Sequence, residues 1–94
     1  MVKHIVLYTL KEGVDKEEAV RIMSESLETL VGRIAGLSWM EVNGVHHGGM
    51  DVALYSEFES KQALCDYQKH PKHLEAKEKF TDFIAERYCA DYEY

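Results

Sequence analysis

With 94 residues, 46% of them hydrophobic and 30% charged, the chain has the composition of one ordinary globular domain spanning residues 1–94, with no apolar run of membrane-spanning length. Its 17 acids against 11 bases give a net charge of −6, which argues against nucleic-acid backbones and anionic membranes as partners, because both are met by clustered positive charge. The two cysteines, Cys65 and Cys89, lack C-x-x-C spacing and are expected to be free buried thiols rather than a zinc site or redox pair.

Val2 to Leu10 is rich in β-branched and aliphatic residues and runs into Lys11-Glu12-Gly13, a turn signal, so a strand is predicted. No basic segment followed by an apolar run of leader length is present there, and a cytoplasmic location is expected. Alternation puts Val2, His4, Val6 and Tyr8 on one side and Lys3, Ile5, Leu7 and Thr9 on the other. Apolar groups on both sides predict that both faces of the strand are covered.

Asp15 followed by Glu18 has capping-box spacing and opens a helix whose stripe is Ala19, Ile22, Met23, Ser26, Leu27, Leu30 and Val31. Gly32 and Gly36 mark its end and a loop. Leu37 to Val45 is a weaker strand signal, with Leu37, Trp39, Glu41 and Asn43 opposite Ser38, Met40 and Val42. The turn His46-His47-Gly48-Gly49 and the run Met50 to Phe58 complete a hairpin, with Trp39 and Tyr55 expected in the core or in an interface. Ser60 can cap a second helix carrying Ala63, Leu64 and Tyr67. Pro71 has no N–H and restricts the residue before it, so His70 ends one helical segment and Pro71 opens the next, on which His73, Leu74, Ala76, Lys77, Phe80, Phe83 and Ile84 form the stripe. Arg87 to Glu93 has the aromatic content of a last strand.

This order predicts an α+β, ferredoxin-like βαββαβ fold: a four-stranded antiparallel sheet with two helices on one face. The other face keeps Ile5, Leu7 and their neighbours exposed, and a homodimer through the sheet faces, forming a dimeric α/β barrel, is the expected remedy.

Val2-Lys3-His4-Ile5-Val6-Leu7, Tyr67-x-x-His70-Pro71-x-His73 and the closing Asp91-Tyr92-Glu93 resemble the stress-responsive dimeric α/β-barrel (Dabb) domain, over essentially the whole chain. The fold pattern alone also admits antibiotic-biosynthesis-type monooxygenases. The resemblance implies a cavity between sheet and helices in each subunit and a barrel made from two sheets. One plant member of that family is a polyketide cyclase, closing a poly-β-keto chain by aldol condensation, and its chemistry-bearing positions match His4, Tyr67 and His73 here.

An intramolecular aldol needs a base near an acidic CH₂ and a donor for the carbonyl oxygen as it gains negative charge. His73 suits the first role and Tyr67 the second, with His4 sharing a proton or orienting the substrate. The ligand implied is a small hydrophobic carbonyl compound. Neither a metal nor an organic cofactor is expected, since the reaction needs none and the sequence carries no cofactor signature, for haem or otherwise. Two other readings use the same residues: a small-ligand or stress-response dimer without a chemical step, and a plain core in which His4 and His73 are satisfied by backbone or tyrosine partners. His70, His73 and His4 could offer three imidazoles to a metal, but Pro71 spoils the same-face geometry, and His46-His47 reads as a solvated loop.

Overall fold

The computed structural model describes residues 1–94, and its layout follows from β1 (Val2–Leu10). This strand pairs antiparallel with β3 (Val52–Phe58) on one side and β4 (Ile84–Glu93) on the other, while β2 (Leu37–Gly44) extends the sheet beyond β3. Directly paired residues share a face of a sheet, so the register decides what reaches the core. Val2, His4, Val6 and Tyr8 are buried on the same side as Val52, Leu54, Ser56 and Phe58. Over them lie α1 (Lys16–Glu28), α2 (Lys61–Lys69) and α3 (Pro71–Glu78), and Met23, Leu27, Leu64, Tyr67 and Ala76 complete the core with Phe80. The expected ferredoxin-like order holds, with the second helix divided in two.

Each helix start has the chemistry read from the sequence. Asp15 accepts from the Glu18 N–H at 3.2 Å, although the Glu18 carboxylate turns to Arg21 instead of closing the box. Ser60 accepts from the Ala63 N–H at 3.0 Å. His70 sits at ψ 134°, the extended conformation that a following proline imposes, and its Nδ1 caps α3 by accepting from the Lys72 N–H at 3.1 Å. That single residue ends α2 and starts α3.

Four expectations need correction. Leu37 falls on the core face with Met40 and Val42, because the register slips between Leu37 and Trp39; this local bulge turns Trp39 outward with Glu41. α1 stops at Glu28, so Leu30 stays buried in the turn that follows while Val31 is exposed. Phe83 and Ile84 are not on a helix: a short 3₁₀ turn covers Thr81–Phe83 and Ile84 begins β4. Cys65 and Cys89 are free but exposed, the first on α2 beside its open groove with β4 and the second on the edge strand β4.

Gly36 is the one glycine that the packing demands. Its φ of +85° suits a residue without Cβ, and a Cβ there would lie 2.5 Å from the Ala63 Cβ, so α2 approaches the start of β2 more closely than any side chain permits. On the face away from the helices, Ile5 and Leu7 are half-buried, and Trp39, Tyr88 and Tyr92 leave about half their surface in solvent. No helix is long and apolar enough to cross a membrane.

Candidate active site

The break at His70–Pro71 aims two side chains at each other. Tyr67 lies in the last turn of α2 and His73 in the first turn of α3, and their rings stack with centroids 4.0 Å apart at 30°. Tyr67 also packs on Phe58 of β3 at 4.9 Å, and Phe58 meets the edge of His4 of β1 at 6.1 Å. Helix stop, strand alternation and one proline thus bring the phenol and both imidazoles to one cavity, whose apolar wall is Leu27, Leu54 and Phe80.

Their environments differ. Tyr67 is 2% exposed, and burial pushes its phenol well above the usual range, with Tyr8 adding to the shift and Arg87 opposing it. It therefore stays an O–H donor at any physiological pH. Burial pulls the His73 imidazole down to about 4, with the Gln68 main chain opposing and the charges of Lys77, His4 and Arg87 adding to the fall. His73 is thus neutral near pH 7, and its buried Nδ1 has no hydrogen-bond partner in the chain. An unpartnered buried ring nitrogen costs stability unless something in the cavity meets it.

His4 is 3% exposed and its Nδ1 donates to the Asp91 carboxylate, which lies opposite it on β4. That bond orients the ring and leaves Nε2 as the nitrogen available to a ligand. The Cys89 sulfur sits 3.6 Å from the same Nδ1 and 3.5 Å from Asp91; desolvation and the Asp91 charge push its thiol up. His4, Cys89 and Asp91 bring ligand atoms within 4.8 Å of one another, yet the Nδ1–carboxylate bond already uses two of the three donors a cation would need. The three-imidazole alternative fails as well, because His70 is spent as the α3 cap and does not line the cavity.

The cavity itself is nearly closed. Its free volume is about 30 Å³, room for a water molecule or two and not for an organic ligand. Phe80 narrows it, whereas Leu64 borders another groove and Leu7 faces the opposite side of the sheet. Tyr8, Lys77, Phe80 and Arg87 also line an outer groove of about 200 Å³, so these four side chains are the wall between the two spaces. A larger open groove of about 490 Å³ runs between α2 and β4 past Gln68 and Asp91, but His4, Tyr67 and His73 do not line it.

Sequence reasoning did not assign Asp91, Lys77, Arg87 or Gln68 to the site. Asp91 and Arg87 become visible only through the cross-strand register, which sets them opposite His4 and Tyr8. Lys77 did leave a trace, as a lysine four residues after His73 on an otherwise apolar stripe.

The model of the stress responsive A/B barrel domain matches residues 2–94. The chain belongs to that family. The stress-response A/B barrel domain-containing protein HS1 of Arabidopsis thaliana is 30% identical over 79 residues, 79% of this chain and 72% of that protein. A dimeric ferredoxin-like protein from Bacteroides fragilis is 33% identical in a structure that superposes with a TM-score of 0.89, over 99% of this chain and 95% of that one. The hydroxynitrile lyase of Passiflora edulis is 16% identical with a TM-score of 0.80, over 97% of this chain and 90% of that one, which is a likeness of fold alone. Membership of the stress-responsive A/B barrel family therefore establishes the architecture, while the chemistry rests on the side chains around Tyr67 and His73.

Proposed function

We propose that this A/B barrel domain works as a homodimer whose subunits each hold a small hydrophobic carbonyl compound and move one of its α-protons, as a polyketide-cyclase-like aldol enzyme would. The observation that carries this reading is the His73 ring, its buried Nδ1 unpartnered, stacked against a buried phenol in the wall of one cavity. His73 would take the α-proton onto Nδ1, and the Tyr67 O–H would hold the enolate oxygen. After the new C–C bond forms, the resulting alkoxide takes a proton from the His73 imidazolium, which restores the neutral ring. His4, set by Asp91, would orient the second carbonyl. None of these steps calls for a metal or an organic cofactor. Support for the dimer comes from the aromatic outer face of the sheet and from the dimeric relative in Bacteroides fragilis.

A receptor without a chemical step would use the same cavity and the same three side chains. Exchange of the α-protons of 4-phenylbutan-2-one in D₂O, followed by proton NMR, separates the two. The enzyme reading expects catalysed exchange that falls roughly 10²-fold or more in His73→Phe and in Tyr67→Phe. Exchange at the same rate in both variants as in the unaltered protein would end it.

A further inference from the structure

Two cations stand at the mouth of the cavity outside any ion pair, although the Arg87 guanidinium lies within hydrogen-bond reach of the Tyr8 hydroxyl and the Cys89 sulfur. Arg87 projects from β4 on the side of Tyr8, and Lys77 from the last turn of α3; both line the inner cavity and the outer groove. The ion pairs of the chain lie elsewhere: His4–Asp91, Arg21 with Glu18 and Glu25, and Lys61–Glu93. No aspartate or glutamate lines either space. In a chain with 17 acids and 11 bases, a mouth lined by two cations and no acid runs against the average charge.

We propose that Lys77 and Arg87 are the head-group site of this cavity, and that its ligand is a small organic carboxylate whose apolar body reaches inward to Tyr67 and His73. The guanidinium fork of Arg87 matches a planar carboxylate, and Lys77 adds a mobile point charge. Phe80 and Ile84 give the outer groove an apolar wall, and its volume of about 200 Å³ suits a body of one ring or a short chain. Inorganic phosphate carries the charge but no apolar body for the wall of Phe80 and Ile84, so a carboxylate that has one is expected to bind more tightly. Binding would also explain how a closed cavity opens: the head group draws Arg87 and Lys77 outward over itself, and the body displaces Phe80. The position of that body rests on the proton-transfer reading above; the charge preference does not.

The test is binding alone, with benzoate, its neutral counterpart benzamide, and inorganic phosphate titrated into the full chain at low salt and followed by amide NMR shifts. Benzoate is expected to bind about tenfold more tightly than benzamide, the effect of one charge-assisted hydrogen bond at a half-open mouth. Arg87→Gln and Lys77→Gln should each lose most of that preference while keeping their affinity for benzamide. The preference should persist in His73→Phe, so failure of the catalytic reading leaves it intact. Benzamide binding as tightly as benzoate, no benzoate binding, phosphate binding as tightly as benzoate, or a preference that survives removal of both cations would each overturn the proposal.

Discussion

Protonation of His73 should control stability in mild acid. In the unfolded chain an exposed imidazole titrates near 6.5, and in the native one His73 is pulled down to about 4. The native state thus refuses a proton that the unfolded state takes up, so this contribution is fully present above pH 6.5 and is lost as pH falls toward about 4, below which it levels off. The gap of about 2.5 pH units would be worth about 3.4 kcal/mol at about 1.36 kcal/mol per unit. Because the ring is only half-buried, solvent screening reduces this to about 1–2 kcal/mol. Lys77, Arg87 and His4, the basic groups that act on it, all resist a further positive charge, and no acid lines the cavity to offset them. His73→Phe keeps a ring on Tyr67 and removes the titration. Urea unfolding at fixed protein concentration, at about pH 7 and about pH 4.5, should show the unaltered protein losing about 1–2 kcal/mol more than the variant. Parallel losses, or an NMR titration that places His73 at or above its ordinary value, would refute the argument.

Gly36→Ala should cost about 2–4 kcal/mol in the same unfolding assay, from a left-handed backbone and from the clash with Ala63; a cost below about 1 kcal/mol would mean that α2 moves aside freely. Tyr67→Phe removes a hydroxyl with no partner in the chain, so stability should change by less than about 0.5 kcal/mol while α-proton exchange collapses. Loss of both together would make Tyr67 a packing residue. Leu7→Lys places a charge at the centre of the outer sheet face and should convert the dimer to monomer in sedimentation, with the helical circular-dichroism signal retained. A dimer unchanged in mass would move the interface away from this face.

The fold was legible because its signals are local and agree with one another. Alternation in Val2–Tyr8, caps at Asp15 and Ser60, and a proline that splits the second helix each act over a few residues, and the structure keeps all of them. The errors arose where a distant contact overrides a local period. Leu37 was placed on the wrong face because the bulge between its pairing with Phe58 and that of Trp39 with Glu57 is set across strands, which no pattern within β2 reveals. Cys89 was expected to be buried from its residue type, whereas its exposure follows from the edge position of β4. For the candidate site, Tyr67 and His73 stood out by residue chemistry and the family resemblance set His4 beside them, but the partners that tune them could not be named. Asp91 lies 87 residues from His4 along the chain, and only the β1–β4 register joins them. The size of the cavity, set by the rotamers of Phe80, Lys77 and Arg87, leaves no trace in sequence at all.

The most direct test is a crystal structure of the protein with 4-phenylbutan-2-one bound. The account expects two subunits joined sheet to sheet, the ketone oxygen within hydrogen-bond reach of the Tyr67 hydroxyl, and an α-carbon facing Nδ1 of His73, with Phe80 displaced. A ketone bound elsewhere, or a cavity that stays closed around its own side chains at saturating ligand, would contradict it.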